Sequence, residues 1–66
     1  MMNSQNKQIL DHLKRGTSIT PMGAFRLYGC FRLAARIYEL RADGHDIVTI
    51  KEPTEDGKYI ARYKLQ

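Results

Sequence analysis

A single cysteine, Cys30, means that no disulfide can close within the chain, and nothing in the sequence calls for an oxidising compartment. No apolar run approaches the roughly 18 to 20 residues needed to span a bilayer. The start, Met1-Met2-Asn3-Ser4-Gln5-Asn6, also lacks the apolar stretch of an export signal. Internal repeats, low-complexity segments and a glycine-rich phosphate-binding motif are all absent. His12, His45 and Cys30 do not fall at the short paired spacings of a zinc site. Asp11 and His12, adjacent in a helix, point in different directions and form no dyad, and Cys30 has no histidine partner by spacing. These absences predict a cytoplasmic protein with no membrane segment, metal, cofactor or catalytic residue, and they make an enzyme the least favoured class. At 66 residues only about 60% of the unfolded surface can be buried, which argues for one small core and against an enclosed cleft.

What is present is a foldable and basic composition. Apolar residues make up 42% and aromatics 9%, enough to exclude disorder, and the formal charge is +4. That charge is uneven. Residues 1–42 carry Lys7, Lys14, Arg15, Arg26, Arg32, Arg36 and Arg41 against Asp11 and Glu39, a net of +5, while residues 43–66 net −1. A basic first two-thirds favours a polyanionic partner, of which nucleic acid is the commonest.

Local signals predict five elements in one domain, residues 1–66. Ser4 is placed to cap a helix over about Gln5 to Arg15, with Ile9, Leu10 and Leu13 as its apolar stripe and Gly16 as its stop. Thr20-Pro21 is a second start signal, a capping hydroxyl followed by a residue whose missing N–H is harmless at the first helical position. That helix should run from Pro21 to Tyr28, with Met22, Phe25 and Tyr28 inward, Ile19 stapling its first turn, and Gly29 ending it. A third helix, from Phe31 or Arg32 to Ala42, has Leu33, Ile37 and Leu40 inward, and Arg32, Ala35, Arg36 and Glu39 opposite or beside that stripe. Ile47–Ile50 is β-branched throughout, Tyr59–Leu65 alternates, and Pro53–Gly57 between them is turn chemistry, which predicts a hairpin. The pattern leaves open whether Ile47 and Thr49 or Val48 and Ile50 face inward. Because an isolated hairpin is marginal in water, Tyr59, Tyr63 and Leu65 are expected to dock on the helices.

The resulting order is mainly α with a small β-hairpin, that of a three-helix winged helix-turn-helix. The residues also carry a resemblance: Ile19-Thr20-Pro21 through Ala24, Tyr28-Gly29-Cys30-Phe31-Arg32-Leu33-Ala34-Ala35-Arg36-Ile37, then Leu40-Arg41 and Gly44-His45-Asp46-Ile47. Over Ile9 to Leu65 the chain resembles a family of small winged helix-turn-helix proteins found in bacteriophages and prophages. That resemblance implies a three-helix domain with a carboxy-terminal wing and a role in double-stranded DNA binding. It implies no particular operator.

On this reading the third helix enters the major groove, with Arg32 and Arg36 reaching base edges and Ala35 between them on the outward face. Arg26, Lys14, Arg15 and Lys51 would hold phosphates, and Thr20 marks a helix start able to offer backbone N–H groups to a phosphate as well as to cap. Bland alternatives compete at each position: Arg36 can pair with Glu39 at i+3, Arg26 can be merely solvated, and Arg41 can be a packing stem. Glu52, Glu55 and Asp56 crowd the wing and should repel phosphates, so the wing is expected to touch DNA through Lys51 or Lys58 if at all. The rival from another class is a winged-helix module that docks on a host or viral protein. Either a monomer or a homodimer is compatible with the pattern, since no spare helix or heptad remains for a dimer seam.

Overall fold

The computed structural model describes residues 4–66, so Met1-Met2-Asn3, part of the stretch read for an export signal, lies outside the described residues. Three helices, α1 (Ser4–Lys14), α2 (Pro21–Tyr28) and α3 (Leu33–Ala42), precede two strands, β1 (Ile47–Pro53) and β2 (Tyr59–Leu65). Ser4 is already helical rather than the cap of α1. Both ends of α2 follow the local signals. Thr20 Oγ1 accepts from Gly23 N–H at 3.1 Å, and Gly29, at φ 63°, turns into the left-handed conformation while its N–H reaches back to the carbonyls of Ala24 and Phe25.

The core is one cluster. Ile9, Leu10 and Leu13 from α1 meet Ala24 of α2, Leu33, Ile37 and Leu40 of α3, and Ile19, Cys30, Ile47 and Tyr63 from the segments around them. The inward stripe expected for α2 is not the one observed. Met22 and Phe25 are exposed, Tyr28 is half-buried, and Ala24 is the residue fully enclosed. The reason is phase: Ala24 and Tyr28, four residues apart, share the face that packs on the core, which places Phe25 about 100° and Met22 about 160° round the helix from Ala24. The small Ala24 lets the helix axis come close to its neighbours. Phe25 instead rests edge-to-face on Phe31, ring centroids 4.9 Å apart.

The strands are antiparallel, with a register running from Ile47↔Leu65 to Pro53↔Tyr59. Ile47 is the buried residue of β1, so its face, shared by Thr49, turns to the helices. Ile19 is buried as well, and its backbone adds a short third rung to the sheet: its N–H and C=O bond to Tyr63 at 2.9 and 2.8 Å. Arg41 ties α3 to β1, with Nε and Nη2 donating to Ile47 O at 2.8 and 2.6 Å and Nη2 to Thr49 Oγ1 at 2.9 Å. It is thus a packing stem with an occupied head. Tyr63 docks as expected and Leu65 packs half-buried against the core, whereas Tyr59 remains 67% exposed. The described chain is 40 Å long by 23 by 20 Å. With Tyr59 opposite Pro53 at the far end of the ladder, its ring has no helix beneath it.

Candidate nucleic-acid interface

With Leu33, Ile37 and Leu40 buried, the 100° step of the helix sends Ala35, Tyr38 and Ala42 to the opposite side of α3. Tyr38 is 75% exposed. Arg32 stands at the amino-terminal boundary of α3, outside the helix proper, exposed and without a side-chain capping bond. Just before it Phe31, 83% exposed, forms the outer corner of the turn from α2. Arg26 is exposed on α2. The side chains of Arg26 and Arg32 make no hydrogen bond or ion pair among the described residues, so both cations are available to a ligand.

Arg36 is placed differently from Arg32. Its side chain is only 23% exposed, and Nε lies 2.8 Å from Glu39 Oε1, the i,i+3 pairing that the sequence allows. The contact is an ion pair without hydrogen-bond alignment at Nε. Asn6 Nδ2 of α1 donates to the same Glu39 oxygen at 3.4 Å, while Asn6 Oδ1 is buried with no hydrogen-bond partner among the described residues. Arg36 therefore sits on the flank of α3 that leans toward α1, one step round from the outward face.

The remaining expected contacts are dispersed. Thr20 caps α2, and its oxygen is engaged with Gly23 N–H. Lys14 and Arg15 line an open hollow at the end of α1 with Gln8, Asp11 and Tyr28. Arg15 Nη2 donates to Tyr28 Oη at 3.3 Å. Beneath it His12 is held at both ring nitrogens, Nε2 2.9 Å from Ser18 O and Nδ1 2.8 Å from Tyr28 Oη. A carbonyl can only accept, so Nε2 carries a proton, and in the neutral ring Nδ1 accepts from the Tyr28 hydroxyl. His12 is a structural clamp between α1, α2 and their linker. Lys51 is exposed on β1 opposite Ala61. No side-chain bond among the described residues joins Lys14, Arg15 or Lys51 to α3.

The wing carries less free negative charge than its composition suggests. Arg62 Nε donates to Glu52 Oε2 at 2.6 Å and Nη2 to Oε1 at 3.2 Å, a two-pronged bond across the ladder, with Nη1 on Ser18 Oγ at 3.0 Å. The hydrogen bond from Arg62 holds the Glu52 carboxyl below the ordinary range. Asp56 is likewise lowered, by the hydroxyl of Thr54 in the turn.

Residue-type reasoning passed over Tyr38 and Phe31. A signal for Tyr38 existed, since it lies three residues after Ala35 and 100° from Ile37, but an aromatic in a helix is more often core. Phe31 gave no such signal, because its exposure depends on how the turn leaves Gly29.

The profile of the winged helix-turn-helix domain family matches residues 4–66. The chain belongs to that family. A winged helix-turn-helix is in general a DNA-binding, non-enzymatic fold. No curated protein and no solved structure matches the chain. Among the described residues of this winged helix-turn-helix protein, no helix is long and apolar enough to cross a membrane, and no cluster of three or more His, Cys, Asp or Glu could hold a metal ion.

Proposed function

We propose that this protein is a sequence-specific reader of double-stranded DNA, a small phage or prophage regulator or accessory factor, that lays α3 in the major groove. The observation that carries the reading is the exposed corner formed by α2, the Gly29 turn and the start of α3, where Arg26 and Arg32 stand free while the neighbouring charges are paired internally. Arg32 contacts a base edge or the adjoining phosphate, and Arg26 holds backbone on the other side of the turn. Arg36 reaches the duplex only by exchanging Glu39 for a phosphate. The backbone N–H groups above Thr20 face a phosphate, and Lys14, Arg15 and Lys51 add longer-range attraction.

The test is fluorescence anisotropy with a random duplex pool at two salt concentrations, followed by site selection on the bound fraction. Binding should weaken steeply with salt and enrich a short motif, and Arg32→Ala should cost about tenfold in affinity for that motif. Equal binding by Arg32→Ala and the parent would remove α3 from the groove. The exposed apolar residues of the hairpin, Ile50, Tyr59 and Ile60, favour a second reading as a module that docks on a host or viral protein. Failure to bind duplex at low salt would select it.

A further inference from the structure

The four bases differ in the side chains that can read them from the major groove: adenine by Asn or Gln, cytosine by Asp or Glu, guanine by Arg or Lys, and thymine by apolar contact with its 5-methyl group. Helix α3, LAARIYELRA, contains no Asn, Gln, Ser or Thr. Its one carboxylate, Glu39, is already engaged through Oε1 by Arg36 and Asn6. Arg41 is spent on Ile47 O and Thr49 Oγ1. The outward side is left with half-buried Ala35 and exposed Ala34, Tyr38 and Ala42, preceded by Phe31 and Arg32.

We propose that this face reads thymine, through the 5-methyl groups of one or more T·A pairs, with Ala35, Tyr38 and Phe31 as the contact surface and Arg32 beside them as a free guanidinium for a neighbouring guanine. The inference rests on the DNA-binding function proposed above and narrows it to a base. Three features support it. Alanine at position 35 carries nothing beyond Cβ, so the helix can approach the groove floor closely. Tyr38 and Phe31 expose 75% and 83% of their surface, and covering that surface is a gain a methyl group can supply. The Phe31 ring is steadied by its edge-to-face contact with Phe25 at 4.9 Å, so little freedom is lost when a base edge meets it.

The experiment takes the motif enriched from the random duplex pool and replaces each thymine in turn by deoxyuridine, which removes the methyl group and leaves every hydrogen-bonding atom in place. At one or more positions the parent protein should lose about fourfold in affinity, the worth of one buried methyl group. Tyr38→Ser or Phe31→Ser should bind the thymine and deoxyuridine forms alike, while Arg32→Ala should keep the difference. Both aromatic positions are exposed, and circular dichroism verifies that the variants fold. A selected motif without thymine, or one bound equally in both forms by the parent, overturns thymine reading while leaving DNA binding intact. The absence of any salt-sensitive duplex binding overturns both.

Discussion

Glu39→Gln tests whether the Arg36 guanidinium is held back from the duplex by its own helix. Arg36 Nε lies 2.8 Å from Glu39 Oε1, and the two side chains retain 23% and 46% of their exposure. An i,i+3 pair this open to water contributes about 0.3 to 0.5 kcal/mol to the fold. The amide oxygen of Gln can still accept from Asn6 Nδ2, which now donates at 3.4 Å, so the variant should lose no more than about 0.5 kcal/mol of stability. DNA binding should strengthen for two reasons. A carboxylate about 8 Å from a phosphate repels it by roughly 0.5 kcal/mol in water, and that repulsion disappears. The freed guanidinium can add one phosphate contact, which steepens the dependence of log affinity on log salt by about 0.9. Anisotropy with a labelled duplex at about 0.05 to 0.2 M salt should therefore show a gain of roughly two- to fivefold and the steeper slope. Adding Arg36→Ala to Glu39→Gln should abolish the slope change. Unchanged or weaker binding by a folded Glu39→Gln protein refutes the restraint.

Arg41→Ala removes the latch between α3 and β1 and leaves Ile47 O without its partner. It should destabilise by about 1 to 2 kcal/mol, a fall of roughly 5 to 10 °C in Tm, with Arg41→Lys recovering less than half because it lacks the fork. The Glu52–Arg62 bond makes stability pH-dependent in a stated direction. The folded carboxyl titrates below the unfolded one at about 4.3, so its contribution is complete above that value and is lost as pH falls through the lower folded value. Thermal midpoints of the parent and Glu52→Gln should thus differ at pH 6 and converge toward pH 2, and a gap that persists in acid would mean the pair acts by packing alone. Cys30 is 1% exposed. A thiol-reactive dye should modify it on the order of 100-fold more slowly in the native protein than in urea, about 3 kcal/mol of opening free energy, and equal rates would mean that the core behind the turn is open.

Elements set by neighbours in the chain were legible in the sequence. Thr20-Pro21 and Gly29 bound α2 because a cap, a fixed φ and a positive φ act within a few residues. The stripe Leu33, Ile37, Leu40 was legible because helical period alone puts those residues on one side. What failed depended on distant partners. Met22, Phe25 and Tyr59 look like core by residue type, yet α2 turns its Ala24 and Tyr28 face to the core, leaving the first two outside, and the hairpin carries the third beyond the helices. The burial of Asn6 against Glu39 could not be anticipated, because a polar residue on a helix carries no mark of which neighbour will cover it.

The same division governs the candidate site. Residue type alone makes every arginine of the helical part a groove candidate and every aromatic a core candidate. A side chain is available to a ligand only when nothing inside the protein employs it, and that is a tertiary property. The fold employs Arg41 on β1, Arg15 on Tyr28 and Arg36 on Glu39, leaving Arg26 and Arg32 free. It leaves Phe31 and Tyr38 in water, where apolar surface is costly and a partner would be rewarded. Subtracting the employed groups shifts the proposed interface from a row of arginines along α3 to a mixed surface at its amino-terminal half. Such a surface predicts recognition by methyl groups as much as by charge, and hence a specific component of affinity that survives salt after the phosphate contacts are screened away.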